Sequence, residues 1–107
     1  MSEQKLADID LHDGQILATR IDQVKRTVEI DVAYYASMED KERTLATLHF
    51  RNVAFVSAML EALTLEEEAN PGNISFWQPA EGRGTTFIYL VGGTIAITAE
   101  SISLDHK

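Results

Sequence analysis

Residues 44–69 read "TLATLHFRNVAFVSAMLEALTLEEEA", and the fold class turns on where in this run a strand gives way to a helix. From Thr44 to Phe50 the residues alternate, with Ala46, Leu48 and Phe50 on one face and Leu45, Thr47 and His49 on the other, which is the period of a strand. At Asn52 the spacing changes. Val53, Val56, Leu60 and Leu63 recur as on one face of a helix, although Val53 to Met59 could also extend the preceding strand. Asn52 suits an N-cap, Ala, Met, Leu and Glu are good helix formers, and Asn70-Pro71-Gly72 is a strong stop. The expectation is a helix over 52–69, its first turn the least determined.

Upstream, the clearest strand runs from Arg26 to Tyr35, where Val28, Ile30, Val32 and Tyr34 alternate with Thr27, Glu29, Asp31 and Ala33. Its outer face carries two carboxylates. Gln15 to Ile21 reads as the partner strand, with "DQVKR" as the connection, and the polar run Ser37 to Glu42 makes the next turn. Downstream lie three more strand candidates, Asn73 to Gln78, Thr85 to Val91 and Thr94 to Leu104. Gly92-Gly93 is expected to form the tight turn of the last hairpin, two glycines readily supplying positive φ angles. In the final strand Ile95, Ile97 and Ala99 share one parity and Ile102 and Leu104 the other, so a bulge or bend near Glu100-Ser101 is required.

The sum is an α+β fold, mainly antiparallel β: one curved sheet or small sandwich of about six or seven strands with one helix packed on it. With no internal repeat and no linker rich in Pro, Gly or Ser, residues 1–107 form a single domain, frayed at 1–7 and 105–107.

Composition narrows the function classes. No cysteine is present, which excludes disulfides, thiol nucleophiles and thiolate zinc sites. The N-terminus "MSEQKLADID" is polar and acidic, and no apolar run approaches the roughly 20 residues that span a bilayer; a cytoplasmic protein with no membrane role is expected. A net charge of −8 repels phosphate backbones, which argues against nucleic acid and favours solubility or a basic protein partner.

Catalytic signatures are missing. His12-Asp13 resembles the pair of metal-dependent phosphohydrolases, but His49 and His106 stand at no spacing that would complete a metal shell. Asp13-Gly14 is better read as a turn, Asp bonding its own backbone and Gly accepting positive φ. There is no G-x-S-x-G elbow, and Gly82-Arg83-Gly84 lacks the rest of a phosphate loop. No cofactor and no catalytic residue are expected. Binding candidates remain. Glu66, Glu67 and Glu68 sit unfavourably at a helix C-terminus, and with Glu29 and Asp31 they could build an acidic face. Trp77 reads either as a core residue or, if Phe76 points inward, as an exposed aromatic anchor beside the glycine loop that holds Arg83; Tyr34 and Tyr35 pose the same choice, one buried and the other, Tyr35, available at a surface.

The run "LHDGQI" (11–16), then "HFRNV" (49–53), the "PGNI" turn (71–74) and the closing "YLVGGTIAITA" (89–99) resemble motifs of a loosely defined group of small bacterial β-rich proteins. Many of these are uncharacterised and some are immunity-type proteins that neutralise toxins. The resemblance spans Leu11 to Ala99 and implies a binding protein rather than catalytic residues. The expected function is thus a non-enzymatic protein-binding module of inhibitor or immunity type. Two alternatives stand beside it. One is a small-molecule binder or enzyme with His12, Asp13 or His49 in a pocket between sheet and helix; the other is a homo-oligomer paired through Thr94 to Leu104.

Overall fold

A computed structural model describes residues 5–60 and 73–107. After a 3-10 turn at Leu6–Asp8, the strands are β1 (Gln15–Asp22), β2 (Thr27–Tyr34), β3 (Thr44–Leu60), β4 (Ile74–Gln78), β5 (Gly84–Leu90) and β6 (Gly93–His106). They form one six-stranded antiparallel sheet in the order β1-β2-β3-β6-β5-β4. The mainly β expectation holds in this coarser form.

The expected helix is not found. Residues 52–60 continue β3, paired to β6 as far as Leu60 opposite Gly93, and the rest of that segment lies outside the described residues. The physical reason is that two irregularities imitate helical spacing. Asn52 takes φ +52° opposite Glu100 and donates to its carboxylate at 2.9 Å, so Phe50 and Val53, three apart, lie on the same side. A register shift between Val53 and Phe55 then repeats the offset, bringing Val53 level with Ala99 and Val56 level with Ile97. Pairing with Thr94–Thr98, four of whose five residues are β-branched, overrides the helix propensity of Ala and Met.

The same joint realises the bend expected at Glu100-Ser101: Ile95, Ile97 and Ala99 are buried, and Ile102 and Leu104 also pack against the core. A shift at Ser75 does the like in β4, turning both Ile74 and Trp77 inward. The core is the inner face of this sheet, built from Val28, Ile30, Val32, Leu48, Phe50, Ile88, Ile97 and their neighbours.

The sheet rolls until its edge strands touch at one end. Gln15 bridges Asn73, Asp13 N–H donates to the Ile74 carbonyl at 2.9 Å, and Ile74 N–H donates to the Gly14 carbonyl at 2.8 Å. Ile9 and Leu11 are buried along this seam, and the Trp77 indole N–H donates to the Ile9 carbonyl at 2.8 Å.

Two turns differ from expectation. In "LHDG" the positive φ, +65°, belongs to Asp13 and not to Gly14. Glycine is needed because a Cβ there would lie 2.9 Å from the Leu11 carbonyl oxygen and 3.2 Å from that of Ala33. The last hairpin closes on the Leu90–Gly93 pair, so its turn residues are Val91 and Gly92, and neither Gly92 nor Gly93 has positive φ. At the C-terminus Asp105 and His106, expected to fray, belong to β6 opposite Thr47 and Ala46.

Candidate functional site

The joint at Asn52 and Glu100 divides the outer face of the sheet into two halves of different chemistry. On the β1-β2 side the outward residues include a network of charged side chains that satisfy one another. Arg20 forks onto Asp31, Nη1 to Oδ2 at 2.7 Å and Nη2 to Oδ1 at 2.9 Å, while its Nε reaches Glu29 at 3.3 Å. Thr47 donates to Asp31 Oδ1 at 2.8 Å, and the Lys107 ammonium lies 3.5 Å from the same oxygen. His49 stands between Glu29, 3.0 Å from Nδ1, and Asp105, 3.1 Å from Nε2. The Arg20 guanidinium, then the Thr47 hydroxyl and Lys107, hold the Asp31 carboxyl well below the usual carboxylate range. Glu29 and Asp31 do share a face, as the alternation in the strand requires. They are held by internal pairs, so they do not present a free acidic surface.

Beyond the joint the outward residues of the strands, among the described residues, carry no charge. Cross-strand pairing aligns Phe76, Tyr89, Thr94 and Met59 in one row, Gln78, Phe87, Ala96 and Ser57 in the next, and Thr85, Thr98 and Phe55 in a third. Phe55 is 73% exposed and Met59 75%, and Phe76 and Phe87 are exposed too. The Phe76 and Tyr89 rings stack with centroids 4.4 Å apart, and Phe87 lies parallel to Tyr89 at 6.1 Å. Thr85 and Thr98 share a hydroxyl hydrogen bond of 2.7 Å. Neighbouring apolar side chains exposed together, in contrast to single scattered ones, mark contact surfaces. Arg83, paired with Glu100 at 3.3 Å, adjoins this patch from the β4-β5 connection, where Gly82 has φ +92°.

The other anticipated residues fall elsewhere. Trp77 is only 8% exposed and serves the seam, so it is not available as a surface anchor; the bulge at Ser75 puts it on the core side. Of the tyrosine pair, Tyr34 is buried and Tyr35 half-buried, with the Arg43 guanidinium 4.9 Å above the Tyr35 ring. Glu66, Glu67 and Glu68 lie outside the described residues. The residues that sequence reasoning missed are Phe55, Met59, Phe76, Phe87 and Tyr89. Strand parity carried the signal for Phe87 and Tyr89, which alternate with the core residues Ile88 and Leu90; the bulge at Ser75 hid it for Phe76.

A second concave site lies at the closed end of the sheet. A cleft of about 620 Å³ is lined by Asp10, His12, Asp13, Tyr34, Asp40 and His106, among others. His12 Nδ1 donates to the Ser75 carbonyl at 2.7 Å, which occupies the carbonyl of the bulged residue. That bond, and then the nearby Asp13 carboxylate, raise the His12 pKa above its ordinary value. The Tyr34 hydroxyl is 2.6 Å from His106 Nε2. The fold thus groups His12 with Asp13 and His106, while His49 lies in the charged network of the outer face. Among the described residues no three His, Asp or Glu side chains converge as metal ligands, and no helix is long and apolar enough to cross a membrane. No family model, no curated protein and no solved structure matches this chain.

Proposed function

We propose that this protein is a non-enzymatic binding module of the inhibitor or immunity type, acting in the cytoplasm, which covers a protein partner with the uncharged half of its outer sheet face. The observation that carries this reading is the grouping of Phe55, Met59, Phe76, Phe87 and Tyr89 on one outer face with no charge among them. Such a face supplies the desolvated aromatic centre from which contact energy comes. The net charge of −8 gives the partner its sign: a protein with an apolar contact region and basic surroundings is drawn by the long-range field, faster at low salt. On this reading the attraction comes from the whole molecule and the contact from the apolar rows. The motif resemblance to small bacterial β-rich proteins, some of them immunity proteins, supports the same reading.

The test is partner capture with the protein and with a Phe55→Ser/Phe87→Ser variant whose far-UV circular dichroism is unchanged. A basic protein bound in equal stoichiometry should be lost on the variant by roughly thirtyfold or more, the effect of removing about 2 kcal/mol of anchor contact. Equal capture by both forms overturns the proposal.

The cleft supports a second reading, binding of a small cationic molecule, because His12 and Asp13 sit in its lining beside Asp10 and Asp40. Titration with agmatine should then shift the His12 and His106 ring signals saturably in an NMR spectrum. Shifts that stay linear, or none, dispose of it.

A further inference from the structure

A hollow of about 680 Å³ opens on the charged half of the outer face, between the β1-β2 connection and β3. Its charged lining is Arg20, Asp22, Lys25, Glu29, His49 and Arg51. The balance of the chain is reversed there: 17 acidic residues stand against 9 basic ones overall, whereas Arg20, Lys25 and Arg51 meet only Asp22 and Glu29 in this lining. Both carboxylates are already engaged. Glu29 accepts from Arg20 Nε at 3.3 Å and lies 3.0 Å from His49 Nδ1. Asp22 turns Oδ1 to the N–H groups of Val24 and Lys25, at 3.0 and 2.9 Å, which fixes the turn that carries Lys25. Arg20 is in turn held by Asp31.

Two cations are left over. Among the described residues neither Lys25 nor Arg51 is in an ion pair. The Arg51 guanidinium is positioned all the same, because Nη1 donates to the Ser103 hydroxyl at 3.0 Å, a neutral partner that orients the fork without cancelling its charge. Thr27, half-buried at the start of β2, adds to the lining a hydroxyl with no hydrogen-bond partner among the described residues.

We propose that this hollow binds the phosphate group of a small molecule, with the Arg51 guanidinium, the Lys25 ammonium and the Thr27 hydroxyl as its donors. A phosphate group carries about −1.5 to −2 charge near neutral pH and three strong acceptor oxygens, which match a planar fork, a point charge and a hydroxyl taken together. A carboxylate has fewer oxygens and less charge and leaves one of these donors unused. The net charge of −8 does not decide the matter locally: the Debye length at physiological salt is about 8 Å, so an anion in the hollow is governed by the groups that line it. The volume exceeds that of a bare phosphate and falls in the range of small-molecule sites, which leaves room for the group that carries the phosphate. The site lies across the Asn52–Glu100 joint from the docking face and shares no residue with it.

Titration with inorganic phosphate and with glycerol phosphate at constant ionic strength, followed by heteronuclear NMR, should move the amide signals of Lys25 and Thr27 and the side-chain Nε–H of Arg51 saturably. Acetate should not. Tighter binding of glycerol phosphate marks a phosphorylated molecule as the occupant, and tighter binding of inorganic phosphate marks the free ion; either result supports the site. Arg51→Gln and Lys25→Gln should each weaken the tighter ligand by roughly tenfold or more, the effect of losing a charged hydrogen bond. Both positions are exposed, so circular dichroism should be unchanged in these variants. Lys41→Gln, in the exposed turn at the other end of β2, should bind as the unmodified protein does. Shifts that stay linear with concentration, an equal response to acetate, or an affinity that neither Arg51→Gln nor Lys25→Gln lowers overturns the proposal.

Discussion

Replacing Trp77 with Ala should cost about 3–5 kcal/mol of stability, the range for deleting a large buried aromatic side chain. Two losses combine. The ring is 8% exposed and packs in the core cluster, so its removal leaves a cavity that a sheet held on both strand ends closes poorly. The indole N–H is also the group that satisfies the Ile9 carbonyl, and so ties the N-terminal segment across the seam between β1 and β4. Trp77→Phe separates the terms: it keeps most of the ring and leaves that carbonyl without its partner, for a loss of about 1–3 kcal/mol. Urea unfolding followed by far-UV circular dichroism measures both, since the variants lack the fluorescent probe. A loss below about 1 kcal/mol for Trp77→Ala would show that the seam is held by the Gln15–Asn73 bridge and Leu11 without it.

The position of Trp77 shows why some of this fold could be read from sequence and some could not. β2 was legible because each of its residues keeps strict parity: Val28, Ile30, Val32 and Tyr34 all reach the core and Glu29 and Asp31 all point out. Parity failed wherever one residue is inserted or takes a left-handed φ. At Ser75 the offset turns Trp77 inward with Ile74 and leaves Phe76 outside, which decides between the core and anchor readings of Trp77 that parity left open. At Asn52 and Ala54 two offsets in succession reproduce helical spacing over a strand. The bend in β6 could be found because apolar residues sit on both sides of it; the one in β3 could not, because a helix explained the same pattern. Pairing with β6 decides between them, and that contact joins residues far apart in the chain.

The same limit applies to the candidate site. Glu29 and Asp31 were identified as outward carboxylates, but Arg20, Thr47, His49, Asp105 and Lys107 reach them from β1, β3 and the C-terminal end, and no local signal connects these positions. Charge in a sequence reports a composition; which charges are free depends on register. The uncharged half is the converse case, where each strand contributes one or two apolar outward residues that look unremarkable alone and align only when β3, β4, β5 and β6 are placed side by side.

Substituting Asn for Asp31 should therefore lower stability near neutral pH by about 1–3 kcal/mol, the scale for a charged hydrogen-bond partner removed from a largely covered position. Only 12% of the Asp31 side chain is exposed, yet Arg20 is half exposed and can be resolvated when its partner goes, so the cost stays below that of breaking a fully buried pair. The pH dependence identifies the cause. In the folded protein Arg20, Thr47 and Lys107 hold the Asp31 carboxyl well below its value in the unfolded chain, near 3.9. A depressed carboxylate contributes its stability fully above the unfolded value, and loses it as pH falls toward the folded one. The gap between the protein and Asp31→Asn should accordingly be constant from about pH 7 to pH 5 and shrink steadily below about pH 4. Urea midpoints at pH 7, 5 and 3 measure it. An unchanged gap at pH 3 would mean that the variant disturbs packing around Thr47 instead of removing a charge that organises this half of the sheet.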